Sequence, residues 1–311
     1  MSFDPDIRAL NDAYIEMLRS GEIKAAEDYT SAFTRTRIRE DGVARRILPA
    51  EPVTKDDFVP QLDHDQPVIL VELEPDSPGA VVMPFGLNEP PSYYIKGKRY
   101  PVVMQRISSP MMYKDLMELE TYRADIRQML AELIVKDLSW AEDATFINCC
   151  NQLLGGSAGA QNVLSGIVQW KQLTGGVSRV NIGEAFKSTF EPKSRIPIKT
   201  ILTNAAMLAE LFKWQRDEVG GDIAQEVLTE GWGTRTLHGC DLIASIKREL
   251  IPDDTMFMFG DSRFIGKFYV HTEPVMELKK ESDIIFFRAK EVVGMAIGHG
   301  DGVHRFDFVN S

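Results

Sequence analysis

The sequence predicts an α+β protein, and three stretches carry that prediction. Met111 to Leu154 contains neither glycine nor proline and reads as one long helix. Residues 48 to 107 are dense in proline and hold two short apolar runs. From Ile198 onward, short apolar runs alternate with turn residues and read mostly as strands. The predicted order is arm, hairpin, long helix, then mixed α/β.

The long stretch opens on Ser109-Pro110, a cap residue followed by proline at the first helical position. It closes on Gly155-Gly156, which suits a left-handed stop. Leu116, Leu119, Tyr122, Ile126, Met129, Leu130, Leu133, Ile134 and Leu138 recur at helical spacing, with charges between them. A helix of that span would reach roughly 60 Å, more than a compact domain needs. The stripe keeps no strict heptad and nothing repeats beside it, so an elongated subunit is expected rather than a coiled coil or a repeat array.

Ahead of it, Asp4-Pro5 starts a helical arm striped by Ile7, Leu10, Tyr14, Met17 and Leu18, and Gly21 interrupts it. A second run carries Ile23, Ala26, Tyr29 and Phe33 and ends in a basic cluster from Arg35 to Arg46. The arm has too few apolar residues for a core of its own, so it must lie on this chain or on a neighbour.

Between Leu48 and Pro91 the spacing of prolines excludes helix. Val68–Glu74 and Ala80–Phe85, separated by Pro75-Asp76-Ser77-Pro78-Gly79, predict a β-hairpin of about 25 Å. A lone two-stranded hairpin is marginal in water and needs a partner surface. Val68, Leu70, Asp76, Gly79, Val81 and Phe85 on the hairpin, with Tyr14 and Phe33 on the arm, are therefore the candidate assembly residues.

Composition narrows the function. The apolar content of 44% belongs to a folded chain. The net charge of −11 argues against a protein that reads duplex DNA through a basic face. The acidic N-terminus is no signal peptide, and no apolar run approaches a membrane span, so no membrane partner is expected. Cys149, Cys150 and Cys240 form no CxxC and read as buried, reduced thiols.

Two patterns invite chemistry. Gly155-Gly156-Ser157-Ala158-Gly159 matches GxSxG, but a nucleophile elbow needs a strand entering and a helix leaving the turn. Here a helix enters and a loop leaves. His299, Asp301 and His304 lie close together, but a metal site needs three or four converging ligands, and the chain has five histidines in all. No catalytic residue, no metal ligand and no cofactor is expected, and the chain reads as a non-enzyme.

The last third holds Thr200-Ile201-Leu202-Thr203-Asn204 before a helix, then Leu237-His238-Gly239-Cys240-Asp241-Leu242-Ile243-Ala244. Met258-Phe259-Gly260-Asp261 follows, then Val275-Met276-Glu277, Phe286-Phe287-Arg288-Ala289 and Val292-Val293-Gly294. In order and spacing these resemble the major capsid proteins of tailed bacteriophages, the Hong Kong 97-type fold, over roughly residues 40 to 308. Proline and valine of that family's "Leu-x-Gly-x-Pro-Val" strand are replaced here. The resemblance implies an N-terminal arm (1–47), an extended loop (48–107), a peripheral domain with a spine helix (108–195), an axial domain (196–288) and a C-terminal strand returning to the peripheral domain (289–311).

It further implies self-assembly into hexamers and pentamers of an icosahedral head, enclosing double-stranded DNA held non-specifically. Scaffold and portal proteins, and a decoration protein, are the partners it suggests. The site would be the virion capsid, with assembly in the host cytoplasm. Scaffolding is expected as a separate protein, because the chain begins almost directly at the arm. Lys96 and Lys98 have no evident asparagine partner, so no cross-link is expected. An encapsulin-like cargo shell is the alternative of the same fold. An oligomeric serine hydrolase using Ser157 is the alternative of another class.

Overall fold

A computed structural model describes residues 5–28, 30, 42–60, 66–73, 92, 94, 98–120, 126–192, 196–211 and 235–309. Thirteen strands are described: β1 (Ala50–Pro52), β2 (Val68–Leu73), β3 (Lys98–Val103), β4 (Gln105–Ser108), β5 (Met112–Asp115), β6 (Trp170–Thr174), β7 (Ile198–Asn204), β8 (Arg235–Leu237), β9 (Cys240–Ser245), β10 (Thr255–Gly260), β11 (Gly266–Glu281), β12 (Ile284–Ile297) and β13 (Val303–Val309). They form two sheets and a ribbon. The first sheet runs β1-β11-β12-β4, with β5 also on β12. The second runs β6-β13-β10-β7-β9-β8, and β2 pairs only with β3.

The spine helix is Ile126–Leu153, 28 residues and about 42 Å long. It is shorter than the Met111–Leu154 expected because its presumed beginning is sheet. Ser109 is no helix cap: its N–H donates to the Ala289 carbonyl at 2.9 Å, and its Oγ accepts from Ala289 N at 3.0 Å. β5 then pairs antiparallel with Ile284–Phe287 of β12. The cap is Asp115, whose Oδ1 accepts from Met117 N at 2.8 Å and starts a short helix, Leu116–Glu120. Met-Tyr-Lys-Asp carries no helix breaker, so only its pairing partner makes it a strand. The expected stop is present: Gly155 and Gly156 take φ of +85° and +77°, and Gly156 N donates to the Asn151 carbonyl.

The arm helix, Pro5–Ser20, packs on this chain. Tyr14, Ile15, Leu18 and Ala26 join Leu119, Leu130 and Ile134 and the inner face of β11–β12 in one apolar cluster. Lys280 Nζ donates to the Leu18 carbonyl at 3.3 Å, and Glu27 accepts from Leu278 N at 2.7 Å.

A second cluster joins the two sheets to the C-terminal half of the spine helix, with Phe146 and Phe259 rings 5.5 Å apart at its centre. β10 is buried along its whole length. Phe257 and Phe259 face the spine helix, while Met256 and Met258 face the helix Arg179–Ser188. That explains its continuous apolar run: a central strand covered on both faces needs no alternation.

β11 and β12 leave the sheet built around β7–β10 and form the first sheet with β4 and β5. The C-terminal strand β13 lies between β10 and β6 in the second sheet, antiparallel to one and parallel to the other. Alternation along a strand reports which face is covered, not which strand lies alongside.

A short helix, Val43–Ile47, locks the arm side to the spine. Asp143 on the spine accepts from Ala44 N at 2.8 Å and Val43 N at 3.3 Å, capping this helix from outside. Lys247 Nζ reaches the same carboxylate at 2.6 Å and Ser139 Oγ at 2.7 Å. Arg45 projects the other way, into carboxylates of the spine helix and the first sheet, with its guanidinium 5.2 Å from the Phe268 ring centre.

Candidate assembly surface

The structural feature that needs a partner is the ribbon β2–β3. Its strands pair antiparallel from Val68↔Val103 to Leu73↔Lys98. Neither outer edge is paired by a third strand among the described residues. Among the described residues the partner of Val68–Leu73 is Lys98–Val103. The turn and strand expected at Asp76, Gly79, Val81 and Phe85 lie outside the described residues, as does Phe33 on the arm. Proline-punctuated runs hid the pairing, because β3 itself contains Pro101, which reads locally as a break.

The ribbon is anchored at its base. Val53, Ile69, Val102, Met104, Tyr269 and Ala296 form a small cluster there. The approach is close: a Cβ on Gly294 of β12 would stand 2.6 Å from Met104 Sδ. Tyr100 is pushed up to about 12, first by burial and then by the neighbouring Tyr269. Val68 is buried, whereas Leu70 on the same strand face is 38% exposed opposite Pro101. Tyr14 is only 2% exposed, with its hydroxyl 3.4 Å from Thr30 Oγ1. It serves this chain's own core rather than a surface, because the arm helix turns that stripe onto the spine.

Two surfaces escaped sequence reasoning. Around β5, the short helix after it and the start of β12, Tyr113 (69% exposed), Met117 (72% exposed), Met111 and Ile284 leave apolar surface in water, with Tyr113 against Phe286. An open groove of 570 Å³ lies between helix Val43–Ile47, the spine helix and the end of β9, lined by Val43, Arg46, Lys136, Ser139 and Lys247. Ile246 stands 85% exposed on its rim. Apolar side chains left in water in contiguous groups mark interaction surfaces. The only sequence signal for either was apolar residues in excess of the helical stripe.

The chemical candidates separate in space. Ser157 sits in the turn after the spine helix, where its carbonyl accepts from Ala160 N at 3.2 Å, and a helix, not a strand, enters that turn. His304 is fully buried on β13 and donates through Nε2 to the Asp301 carbonyl at 3.1 Å. His299 precedes the turn Gly300–Gly302, and His238 and His271 lie on other elements. Among the described residues no cluster of histidine, cysteine or acid could hold a metal ion. Among them, too, no helix is long and apolar enough to cross a membrane. Cys150 is buried, and burial pushes its thiol well up.

His304 sets an acid limit. Burial holds its imidazole down at about 4, against 6.5 when free. The unfolded chain therefore binds the extra proton first as pH falls. The stability this neutral histidine supports is complete above pH 6.5 and is lost as pH falls toward 4. Thermal melts should show that loss in the wild-type chain and a weaker one in His304→Phe.

No family model and no curated protein sequence matches the chain. Solved structures do. The mature capsid of bacteriophage PhiM1 superposes with a TM-score of 0.56 at 9% identity, covering 87% of this chain and 88% of that one. The capsid of the native GTA particle gives 0.52 at 13% identity, with 85% and 89% covered. A virus-like particle from Pyrococcus furiosus gives 0.50 at 14% identity, with 90% and 98% covered. An arm on the spine helix, a projecting ribbon and two sheets sharing one core, together with these superpositions, give this chain the Hong Kong 97-type fold of phage capsid proteins.

Proposed function

We propose that the chain is the structural subunit of a closed shell: a major capsid protein that assembles into hexamers and pentamers around double-stranded DNA, with no enzymatic role. The observation that carries this reading is the unpaired ribbon. Two strands that pair with no third strand among the described residues, with Leu70 and Val103 exposed, are poorly stable in water and gain a surface in an assembly of copies. The capsid neighbours support self-association of a chain with this fold. Scaffold, portal and decoration proteins are the partners this reading calls for, with the virion as its destination and the host cytoplasm as its place of assembly. The exposed patch around Tyr113 and Met117 offers further surface for such contacts.

The test replaces Leu70 and Val103, the exposed apolar side chains of the ribbon, with lysine. The variant chain should keep the melting profile of the original one, yet give no shells or rings by electron microscopy and sedimentation. The original chain should give closed shells or capsomer-sized rings. Only small discrete oligomers from the original chain, with candidate scaffold added, would sink the shell reading. Normal shells from the variant chain would remove the ribbon as its basis.

An encapsulin-like cargo shell is the second reading, because superposition on a virus-like particle, 98% of whose chain is covered, speaks for a shell fold and not for its contents. Shell contents decide between them: nucleic acid supports the capsid, and a co-purifying enzyme supports the cargo shell.

A further inference from the structure

Where helix Val43–Ile47, the spine helix and the β11–β12 hairpin meet, one guanidinium faces three carboxylates. Arg45 donates through Nε to both Glu142 oxygens at 3.0 Å, and through Nη2 to Glu142 Oε1 at 2.5 Å and Glu291 Oε2 at 3.1 Å. Glu273 on β11 lies 3.7 Å from Nη1. The side chains of Arg45, Glu142 and Glu291 are all closed to solvent. The nearby Asp143 is already matched by Lys247 and two backbone N–H groups. Were all three glutamates ionised, the Arg45 cluster would carry two uncompensated negative charges in a dry site. Like charges so placed do not all ionise, and one keeps its proton.

The geometry says which. Glu142 receives three contacts from Arg45, and Glu273 is partly open to water. Glu291 receives one donor on Oε2, and its Oε1 has none. A proton on Glu291 removes one negative charge from beside Glu142, and Oε1, which accepts from nothing, is the oxygen free to carry it.

We propose that Glu291 holds a proton in the folded chain and that this proton is a latch, keeping helix Val43–Ile47 seated against the spine helix until alkaline pH removes it. Burial is the leading cause that raises Glu291 to about 9, and Glu142 adds to it, while Arg45 opposes. The sign follows. The free carboxyl ionises near 4.5, so between that pH and about 9 the folded chain holds a proton that the unfolded chain lacks. Stability from this site is complete below 4.5 and is lost as pH rises toward 9, by up to about tenfold in the folding constant per unit. This proposal stands on the single chain and is independent of the shell reading.

The first measurement is the proton count on unfolding at pH 8, from the buffer dependence of the calorimetric enthalpy. Release of about one proton is expected; no release overturns the proposal. The second compares wild type with Glu291→Gln, a neutral mimic, between pH 6 and 10. Wild-type melting temperature should fall from pH 6 to about 9, and trypsin cleavage after Arg45 and Arg46 should rise relative to cleavage elsewhere. Glu291→Gln should hold both nearly level. The same alkaline loss in wild type and variant would overturn the latch. Should the variant not fold, the proton count on the wild-type chain decides alone.

Discussion

Arg45→Ala should lower the stability of the folded chain by about 3–5 kcal/mol, the penalty for stripping one partner from a buried ion pair. The urea midpoint at pH 7 is the measurement. The arginine is the only cation hydrogen-bonded to Glu142 among the described residues, and Glu142 is fully buried on the spine helix. Alanine leaves that buried side chain without its guanidinium partner. It also removes the guanidinium from the Phe268 face and empties the space between spine and sheet. The pair itself need not stabilise. Replacing Arg45, Glu142 and Glu291 together with methionine or leucine should recover most of the loss, because burying charges costs about what their attraction returns. A triple variant as unstable as Arg45→Ala would show that packing around the arginine stem, rather than the stranded charge, sets the cost.

Gly266→Ala should be as damaging for a different reason. Gly266 begins β11 opposite Ile297, and a Cβ there would run into the Ala296 carbonyl oxygen, with the Ala296 carbonyl carbon and Ile297 Cα at 2.9 Å. All three are groups of the partner strand's main chain, which cannot rotate aside as a side chain would. We expect a loss of about 3 kcal/mol, at the upper end of overpacking costs. Trimming Ala296 to glycine should not relieve it. Gly183 is the control. It lies in the helix Arg179–Ser188 with open space where a Cβ would stand. Gly183→Ala should stabilise by up to about 1 kcal/mol, through helix propensity alone. Two glycine-to-alanine changes of opposite sign in one chain separate close backbone approach from chain entropy.

Much of the fold was legible because it is written in local signals. Gly155-Gly156 stop the spine helix because two successive residues need positive φ. Thr255–Gly260 form a strand with the expected bounds, because four consecutive apolar residues, Met256–Phe259, between turns can be little else. Asn204 caps the helix that begins at Ala205, accepting from Ala206 N at 3.0 Å. The family resemblance rested on that last third, and the superpositions agree with it.

The candidate surface was less legible. The need for a partner was visible in Val68–Leu73, an apolar run too isolated to fold alone. Its pairing with Lys98–Val103 was not, since 24 positions separate the strands and Pro101 disguises the second. Tyr14 looked like a contact residue because nothing local tells an arm stripe which surface will cover it. The groove at Ile246 and the patch at Tyr113 depend on where elements from distant parts of the chain end.

The sequence by itself determined the periods and the punctuation: which segments are helix or strand, where glycine and proline end them, and that the ribbon could not stand alone. These follow from φ/ψ preferences and burial over a few residues. Only the tertiary structure decided that Met112–Asp115 is a strand, that β13 joins the second sheet, and that Arg45 meets Glu142 and Glu291 from positions about one hundred and two hundred and fifty residues away. Each depends on pairing between segments far apart in the chain, where hydrogen-bond partners and desolvation, not neighbouring residues, select the outcome.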